Sequence, residues 1–153
     1  MIGRQELWKR LAGAIALSAA VLGSSCSSAP PESSLGQRWL DALNSHDAAQ
    51  VAPLLATDAV YRDPPAQEPL GVAALSARLT REWTQWKDRV YTAIRIVDAP
   101  DTVVIEWHLQ QTHPTGKAVP LDGVTILDRD GTRIRAVRDY YNAGVYLQFL
   151  RSQ

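Results

Sequence analysis

Two isolated aspartates are the residues of this 153-residue chain whose surroundings best suit acid–base chemistry. Asp63 follows the run Ala-Val-Tyr-Arg and precedes two prolines, and Asp122 stands between Leu121 and Gly123 in an apolar stretch. Two carboxyl groups held at different pKa values can divide the roles of general acid and general base. The alternatives are a strand-ending turn for Asp63 and an exposed strand start for Asp122.

A histidine and a third aspartate extend this set. Alternation along a strand places Glu106 and His108 on one face and Trp107 on the other. The face of His108 is either solvated or the polar lining of a pocket, where a histidine could transfer protons near neutral pH. The face of Trp107 is predicted to be core or subunit interface. Asp139 is expected to form an ion pair with Arg138 or His108, or to belong to the same catalytic site as the other acids.

Three helices are expected before the sheet that must position these residues. Leu35–Ser45 has apolar residues at helical spacing, and Asp47 is suited to cap a short second helix that Pro53 confines. Gly71–Trp86 is predicted to be the third helix. Its apolar stripe consists of Leu75, Leu79, Trp83 and Trp86.

Five strands are predicted, separated by turn residues. The first is Ala59–Arg62, which the prolines after Asp63 stop. The other four cover residues 89–97, 102–112, 119–127 and 133–141. Because each turn joins sequence neighbours, these four should form an antiparallel meander, and Leu147–Leu150 is expected to form a short closing helix. Helices followed by hairpins predict an α+β fold.

The helix–helix–strand order over Arg38–Gly71, with Asp63 before proline, resembles the front half of a known group of proteins. That group contains the ketosteroid isomerases, the SnoaL-like polyketide cyclases and the limonene-epoxide hydrolases, which share the nuclear transport factor 2-like fold. The resemblance covers roughly residues 35–150 and implies a cone of curved, mostly antiparallel sheet over three helices. This fold hosts unrelated activities as well as non-enzymes, so the function stays open.

The resemblance also implies roles for the acids. In the isomerases the counterpart of Asp63 is the general base, and that of Asp122 is a protonated acid that hydrogen-bonds the enolate. SnoaL-like cyclases are similar in pairing a histidine at the place of His108 with an acid–base aspartate at the place of Asp122. The Arg-Asp-Tyr run of the epoxide hydrolases, part of a water-activating group, is similar at Asp139. These four residues are the predicted catalytic set.

Three departures from the family pattern argue against two of the family's reactions in this chain. Trp39 stands where the isomerases have an oxyanion-hole tyrosine, and Leu79 falls near another pocket tyrosine. Glu106-x-His108 stands where the epoxide hydrolases have Arg-x-Asp. Because oxyanion stabilisation is often the largest catalytic term, efficient steroid isomerisation is not expected. The predicted pocket lining consists of Trp39, Tyr61, Leu79, Trp83, Glu106 and Val124.

The first 25 residues resemble a secretory signal peptide, with basic residues before the apolar run Leu11–Leu22. Cys26, the chain's only cysteine, follows small residues as at a bacterial lipoprotein cleavage site, so lipidation and membrane anchoring are expected. The alternative is an ordinary signal peptide with an incidental cysteine. Residues 26–34 are predicted to be a flexible tether and residues 35–153 a single domain.

Composition excludes some classes of function. Without the leader the chain has 13 basic and 15 acidic residues, a net charge of −2, so nucleic-acid binding is not predicted. The chain lacks a phosphate loop, a nucleophile elbow and a dinucleotide fingerprint, and its histidines lack metal-site spacing. No cofactor and no metal are therefore expected.

Two functions remain open. The first is an exported SnoaL-like enzyme with an apolar pocket that performs acid–base chemistry on a small hydrophobic carbonyl-type ligand. The second is a non-catalytic ligand-binding or dimerisation module of a cell-envelope lipoprotein. Export favours the second function, whereas the acid–histidine set favours the first. A homodimer is expected in either case. If Asp63, His108 and Asp122 do not converge on one cavity, the enzyme hypothesis built on these three residues fails.

Overall fold

A computed structural model describes residues 33–64, 68–86 and 88–151 and confirms the α+β class. The helices are α1 (Leu35–Asn44), α2 (Ala48–Val51), α3 (Val72–Gln85) and α4 (Ala143–Arg151), with a 3₁₀ turn at Ala52–Leu54. The strands are β1 (Leu55–Arg62), β2 (Leu70–Gly71), β3 (Val90–Asp98), β4 (Thr102–Gln110), β5 (Leu121–Asp130) and β6 (Arg133–Tyr141). No described helix has both the length and the apolar character that a membrane span needs.

Local side-chain hydrogen bonds begin the first two helices. Ser34 accepts from the backbone N–H of Gln37 at 3.2 Å at the start of α1. The predicted cap is confirmed at α2, where Asp47 accepts from the backbone N–H of Ala49 at 2.9 Å. Pro53 lies in the 3₁₀ turn, where its missing N–H is tolerated. The cap by Asp47 depends only on residues next to it in sequence, which is why the sequence predicts it.

The strands form one sheet in the order β2-β1-β6-β5-β4-β3. The predicted antiparallel meander of β3 to β6 is confirmed. β1 pairs in parallel with β6, a long-range contact that the sequence did not predict, and β1 begins at Leu55 instead of Ala59. The exposed polar residues Thr57 and Asp58 interrupt the apolar alternation there, so the first half of the strand escaped prediction.

The inner face of the sheet packs on the helices and forms the main core. Val103, Ile105, Trp107 and Leu109 of β4 are each at most 2% exposed, so the face of Trp107 is core and not a subunit interface. Helix α1 lies close to this face at Gly36, where an added Cβ would lie 2.8 Å from a methyl carbon of Ile96.

A smaller aromatic cluster joins α4 to the rest of the domain. Phe149 packs with Trp86 and Val119, and Tyr146 is partly buried against them. The predicted closing helix is therefore longer than Leu147–Leu150 and begins at Ala143. Its position brings Tyr146 to the cavity described next.

Candidate functional site

A small cavity lies between the inner face of the sheet and helices α1 and α3. Its volume of about 50 Å³ is room for a few water molecules. One part of the lining is apolar and consists of Trp39, Leu43, Leu75, Leu79, Trp107, Leu109 and Leu121. The other part is charged or polar and includes Asp63, Arg78, Glu82, Arg89, Asp139 and four tyrosines. The expectation of a largely apolar pocket is therefore wrong, because five ionisable side chains of both signs line this cavity.

Asp63 presents a buried carboxylate to this cavity. Its side chain is 1% exposed, and its Oδ2 accepts a hydrogen bond from Nη2 of Arg78. Its Oδ1 is buried and accepts no hydrogen bond of normal geometry among the described residues, although the hydroxyl of Tyr141 interacts with this carboxylate. Burial, followed by the negative charge of Asp63, raises the pKa of Tyr141 well above its usual range. The Tyr141 hydroxyl thus stays protonated beside an acceptor oxygen that can take a proton.

A chain of charged residues orients the arginine that holds Asp63. Arg78 donates through Nε to Oε1 of Glu82 at 2.7 Å, and Arg89 donates through Nη1 to Oε2 at 2.5 Å. Arg89 also donates through Nη2 to the hydroxyl of Tyr91 at 2.7 Å. Burial opposes ionisation of Glu82, but Arg89 and Arg78 hold its pKa below the usual value. Both oxygens of this carboxylate are therefore committed to ion pairs.

Asp139 is the second acid on the cavity. Its Oδ2 accepts from the hydroxyl of Tyr61 at 2.6 Å, and its Oδ1 accepts from the hydroxyl of Thr125 at 2.5 Å. Burial raises the pKa of Asp139 to about 6, against the lowering effect of these two hydrogen bonds, and nearby Asp63 raises it further. Asp139 can therefore carry a proton close to physiological pH.

The tyrosines around these acids act as hydrogen-bond donors. Burial, with the charges of Asp139 and Asp63, raises the pKa of Tyr61 well above its usual value. Burial raises the pKa of Tyr91 to about 12. Both hydroxyls stay protonated at neutral pH, so the cavity combines the carboxyl groups of Asp63, Glu82 and Asp139 with several tyrosine hydroxyl groups.

An open groove of about 320 Å³ reaches the same two acids from outside the cavity. It is lined by Asp63, Asp139, Arg62, Pro64, Arg138 and Tyr140.

The predicted catalytic residues divide between the two faces of the sheet. Asp63 and Asp139 lie at the cavity, together with the predicted lining residues Trp39, Tyr61 and Leu79. His108 and Asp122 lie on the outer face, opposite each other in the register of β4 and β5.

These two outer residues do meet each other. Nδ1 of His108 lies 2.6 Å from Oδ1 of Asp122, with side chains 37% and 76% exposed. The expectations that Asp122 has apolar surroundings and that Asp63, His108 and Asp122 converge on one cavity are wrong, so the enzyme hypothesis built on these three residues fails. Alternation correctly grouped Asp122 with Val124, but that face points away from the helices.

The same geometry places the remaining predicted pocket residues outside the cavity. Glu106 and Val124 are register partners on the outer face, so neither lines the cavity. Trp83 is buried in the core, where it stacks on His46 with ring centroids 5.7 Å apart, and is not part of the lining. Cys26 lies outside the described residues.

Asp139 makes neither of the two ion pairs that were predicted for it. Arg138 instead donates twice to the carboxylate of Asp128, with one distance of 2.8 Å. His108 lies on the opposite face of the sheet from Asp139. Since Arg138 and Asp139 are neighbours in a strand, their side chains point to opposite faces and cannot pair.

Sequence reasoning missed six polar members of the site, which are Arg78, Glu82, Arg89, Tyr91, Thr125 and Tyr141. A signal existed for two of them. Arg78 and Glu82 are four residues apart on α3, next to the apolar stripe of Leu75 and Leu79. Charged residues at this spacing are usually solvated, so the pattern did not distinguish a cavity wall from a surface ion pair.

Solved structures with this arrangement of elements define the class of the protein. One is a protein with a ketosteroid isomerase-like fold from Catenulispora acidiphila in complex with trimethylamine, with 22% identity, a TM-score of 0.65, and 74% of this chain and 87% of that chain covered. BvnE pinacolase from Penicillium brevicompactum has 16% identity, a TM-score of 0.68, and 75% and 85% covered. The chain therefore has the nuclear transport factor 2-like, ketosteroid isomerase-like fold.

The family follows from the sequence of the domain itself. The model of the SnoaL-like domain matches residues 37–137, so the chain belongs to the SnoaL-like family. A structure with a proposed assignment as SnoaL-like polyketide cyclase, from Shewanella denitrificans, shares 22% identity and a TM-score of 0.64, with 78% of this chain and 96% of that chain covered. No curated protein matches the chain.

Proposed function

We propose that this protein is a cofactor-independent acid–base enzyme of the isomerase or cyclase type that acts on a small carbonyl compound. The observation that carries the proposal is the buried Oδ1 of Asp63, which accepts no hydrogen bond of normal geometry among the described residues and belongs to a side chain on the cavity. A buried carboxylate oxygen without a donor is costly unless a ligand completes it. A substrate C–H or O–H group would supply that missing partner.

The proposed chemistry is proton transfer next to a carbonyl group. Asp63 takes a proton from the carbon beside the carbonyl at Oδ1, and the C–H electrons form an enolate. Tyr61 and Tyr141 are the O–H groups that can hydrogen-bond the developing oxyanion. Return of the proton from Asp63 to a second carbon completes an isomerisation without any oxidant or cofactor.

The shape of the cavity limits the substrate. With a volume of about 50 Å³, the cavity admits only a small group unless side chains move. Tyr146, which also lines the cavity, belongs to α4, the helix that packs on the domain through the smaller aromatic cluster. The apolar residues of the cavity wall suit the hydrocarbon portion of a ligand, and the carboxylates and hydroxyls of the wall suit its carbonyl end. We therefore propose the same small carbonyl-type ligand as before, in a pocket that has one charged wall and is not largely apolar.

Proton exchange tests this proposal without a known product. Small ketones and enones are incubated with the protein in D₂O, and loss of the α-proton signal is followed by NMR. The Asp63→Asn variant is expected to lose about 10²-fold or more of the exchange rate, because a general base contributes that much. Asp122→Asn is the matched control and should keep the rate, since its carboxylate lies on the other face. Equal rates in Asp63→Asn and wild-type protein would reject the proposal.

A binding and dimerisation module is the second candidate. Its specific support is the outer face of the sheet, where Val60, Val97 and Tyr140 are 36%, 52% and 53% exposed. We propose that a second copy of the chain covers this face, since exposed apolar side chains on a sheet face can serve as an interface. Light scattering on wild-type protein and a Val97→Asp variant tests this. A monomeric wild type, or an unchanged dimer in the variant, would contradict it.

Export and lipidation belong to the same proposal. The leader pattern supports attachment of a lipid to Cys26, which would hold the domain at a membrane in the cell envelope. Mass spectrometry of protein expressed in a bacterium should find a diacylated mature N-terminus, and Cys26→Ser should release the protein from membranes. An unprocessed chain in the soluble fraction would refute this part.

A further inference from the structure

A glycine in β5 makes room for the indole of Trp107 on the inner face of the sheet. Trp107 and Gly123 are direct register partners. A Cβ at Gly123 would lie 2.4 Å from ring carbons of Trp107 and 2.9 Å from the carbonyl oxygen of Tyr140. Only glycine leaves that space free, so the indole lies flat across the neighbouring strand and its N–H reaches the next inward residue.

That next residue is Thr125, which receives the indole hydrogen. Nε1 of Trp107 donates to Oγ1 of Thr125 at 2.8 Å, and the threonine is 3% exposed. An indole N–H can only donate, so the threonine oxygen must accept. The single hydroxyl hydrogen of Thr125 is then directed to its other neighbour, Oδ1 of Asp139, at 2.5 Å.

We propose that Trp107 and Thr125 are positioning residues that direct the acidic proton of Asp139 to Oδ2, the oxygen shared with Tyr61. A proton on Oδ1 would force Thr125 to accept twice and leave its own buried hydrogen without an acceptor among the described residues. That arrangement carries the penalty of an unsatisfied buried donor. A proton on Oδ2 needs the Tyr61 hydroxyl, 2.6 Å away, to turn from donor to acceptor, and the hydrogen of Tyr61 can then point into the cavity, which Thr125 does not line.

This assignment gives Tyr61 a defined part in proton transfer. Tyr61 lines the cavity, so its own hydrogen can turn toward a bound oxygen when its oxygen accepts from Asp139. Transfer then moves one proton from Oδ2 of Asp139 to Tyr61 while Tyr61 passes its hydrogen to the substrate oxygen. The inference rests on the proposed function in using Tyr61 as the donor to the substrate oxygen, and it adds Asp139 as the acid behind Tyr61. The position of the proton on Asp139 exists without substrate.

Other ionisable groups also affect the pKa of Asp139, so the test must leave them unchanged. Asp63 raises its pKa and Arg78 lowers it, after the larger effects of burial and of the hydrogen bonds from Thr125 and Tyr61. Tyr91 and Tyr141 complete the titratable groups coupled to its charge. Substitutions at Thr125 leave these residues in place, whereas Trp107→Phe also alters the ring contacts of Trp107 with Tyr91 and Tyr141.

Carbon-13 NMR of the carboxyl group of Asp139, assigned with Asp139→Asn, measures its titration directly. Thr125→Val removes the donor to Oδ1 and should raise the pKa by about one to two pH units, since a charged hydrogen bond is lost. Trp107→Phe keeps the hydroxyl but loses its polarisation, so a smaller rise is expected. Thr125→Ser restores the donor and should titrate like the wild type. An unchanged midpoint in Thr125→Val would overturn the role of Thr125.

A second signal locates the proton. The Cζ resonance of Tyr61 should titrate with the midpoint of Asp139, because its hydroxyl changes from donor to acceptor, whereas the Cβ resonance of Thr125 should not move. Titration of Thr125 in place of Tyr61 would put the proton on Oδ1 and overturn the inference. Both measurements are made without substrate, so they can fail while exchange activity dependent on Asp63 stands, and the reverse also holds.

Discussion

The raised pKa of Asp139 predicts a specific dependence of stability on pH. Burial raises this pKa from 3.8 to about 6 in the folded protein. A carboxyl group with a raised folded pKa stabilises the fold fully below its unfolded pKa, and this contribution is lost as the pH rises through the folded pKa. The difference of about two pH units corresponds to about 3 kcal/mol, which should disappear between about pH 4 and pH 6.

Urea unfolding of wild-type protein and Asp139→Asn at several pH values between 4 and 7 tests this magnitude. The quantity of interest is the unfolding free energy of the wild type minus that of the variant, because constant effects of the substitution and shared titrations cancel. We expect this difference to fall by about 3 kcal/mol from pH 4 to pH 7.

A flat difference for Asp139→Asn would refute the reasoning. It would mean that the hydrogen bonds from Tyr61 and Thr125 stabilise the carboxylate as much as burial destabilises it. A difference that rises with pH would show that these bonds dominate, and Asp139 would then be an ordinary ionised acceptor, unsuited to the role of acid near neutral pH.

Three further predictions concern stability and are measured by denaturant unfolding. Gly123→Ala should destabilise the domain by about 1–3 kcal/mol or more, because the added methyl group overlaps the ring of Trp107, and an unchanged midpoint would contradict the packing. Asp47→Ala should cost about 1 kcal/mol through loss of the α2 cap, with Asp47→Asn as the conservative control. His108→Ala should cost less than about 1 kcal/mol, since its pair with Asp122 is exposed, and a larger loss would indicate a buried role.

Local patterns determined much of the fold and part of the site. The meander of β3 to β6 follows from turns between sequence neighbours, and the cap at Asp47 from its own side chain. Asp63 and Asp139 were found from strand position and resemblance, and both lie at the cavity. These features depend on residues close in sequence or on patterns shared within a family.

The tertiary structure decided which acids work together. Strand alternation places His108 and Asp122 on a common face, but period two cannot say which face meets the helices. The packing of α1 and α3 answers that question and leaves both side chains on the outer face, where they contact each other. Resemblance of motif could not replace this information, because a one-residue difference in register exchanges the two faces of a strand.

The charged wall of the cavity likewise required three-dimensional information. Arg78 comes from α3 and Arg89 from the segment before β3, yet both hold Glu82. Asp139 receives hydroxyl hydrogens from Tyr61 on β1 and Thr125 on β5, which are 78 and 14 residues away. The sequence alone determined the class of fold and two of its acids. Only the fold decided their partners, because hydrogen bonds and desolvation depend on distances between segments that no local pattern encodes.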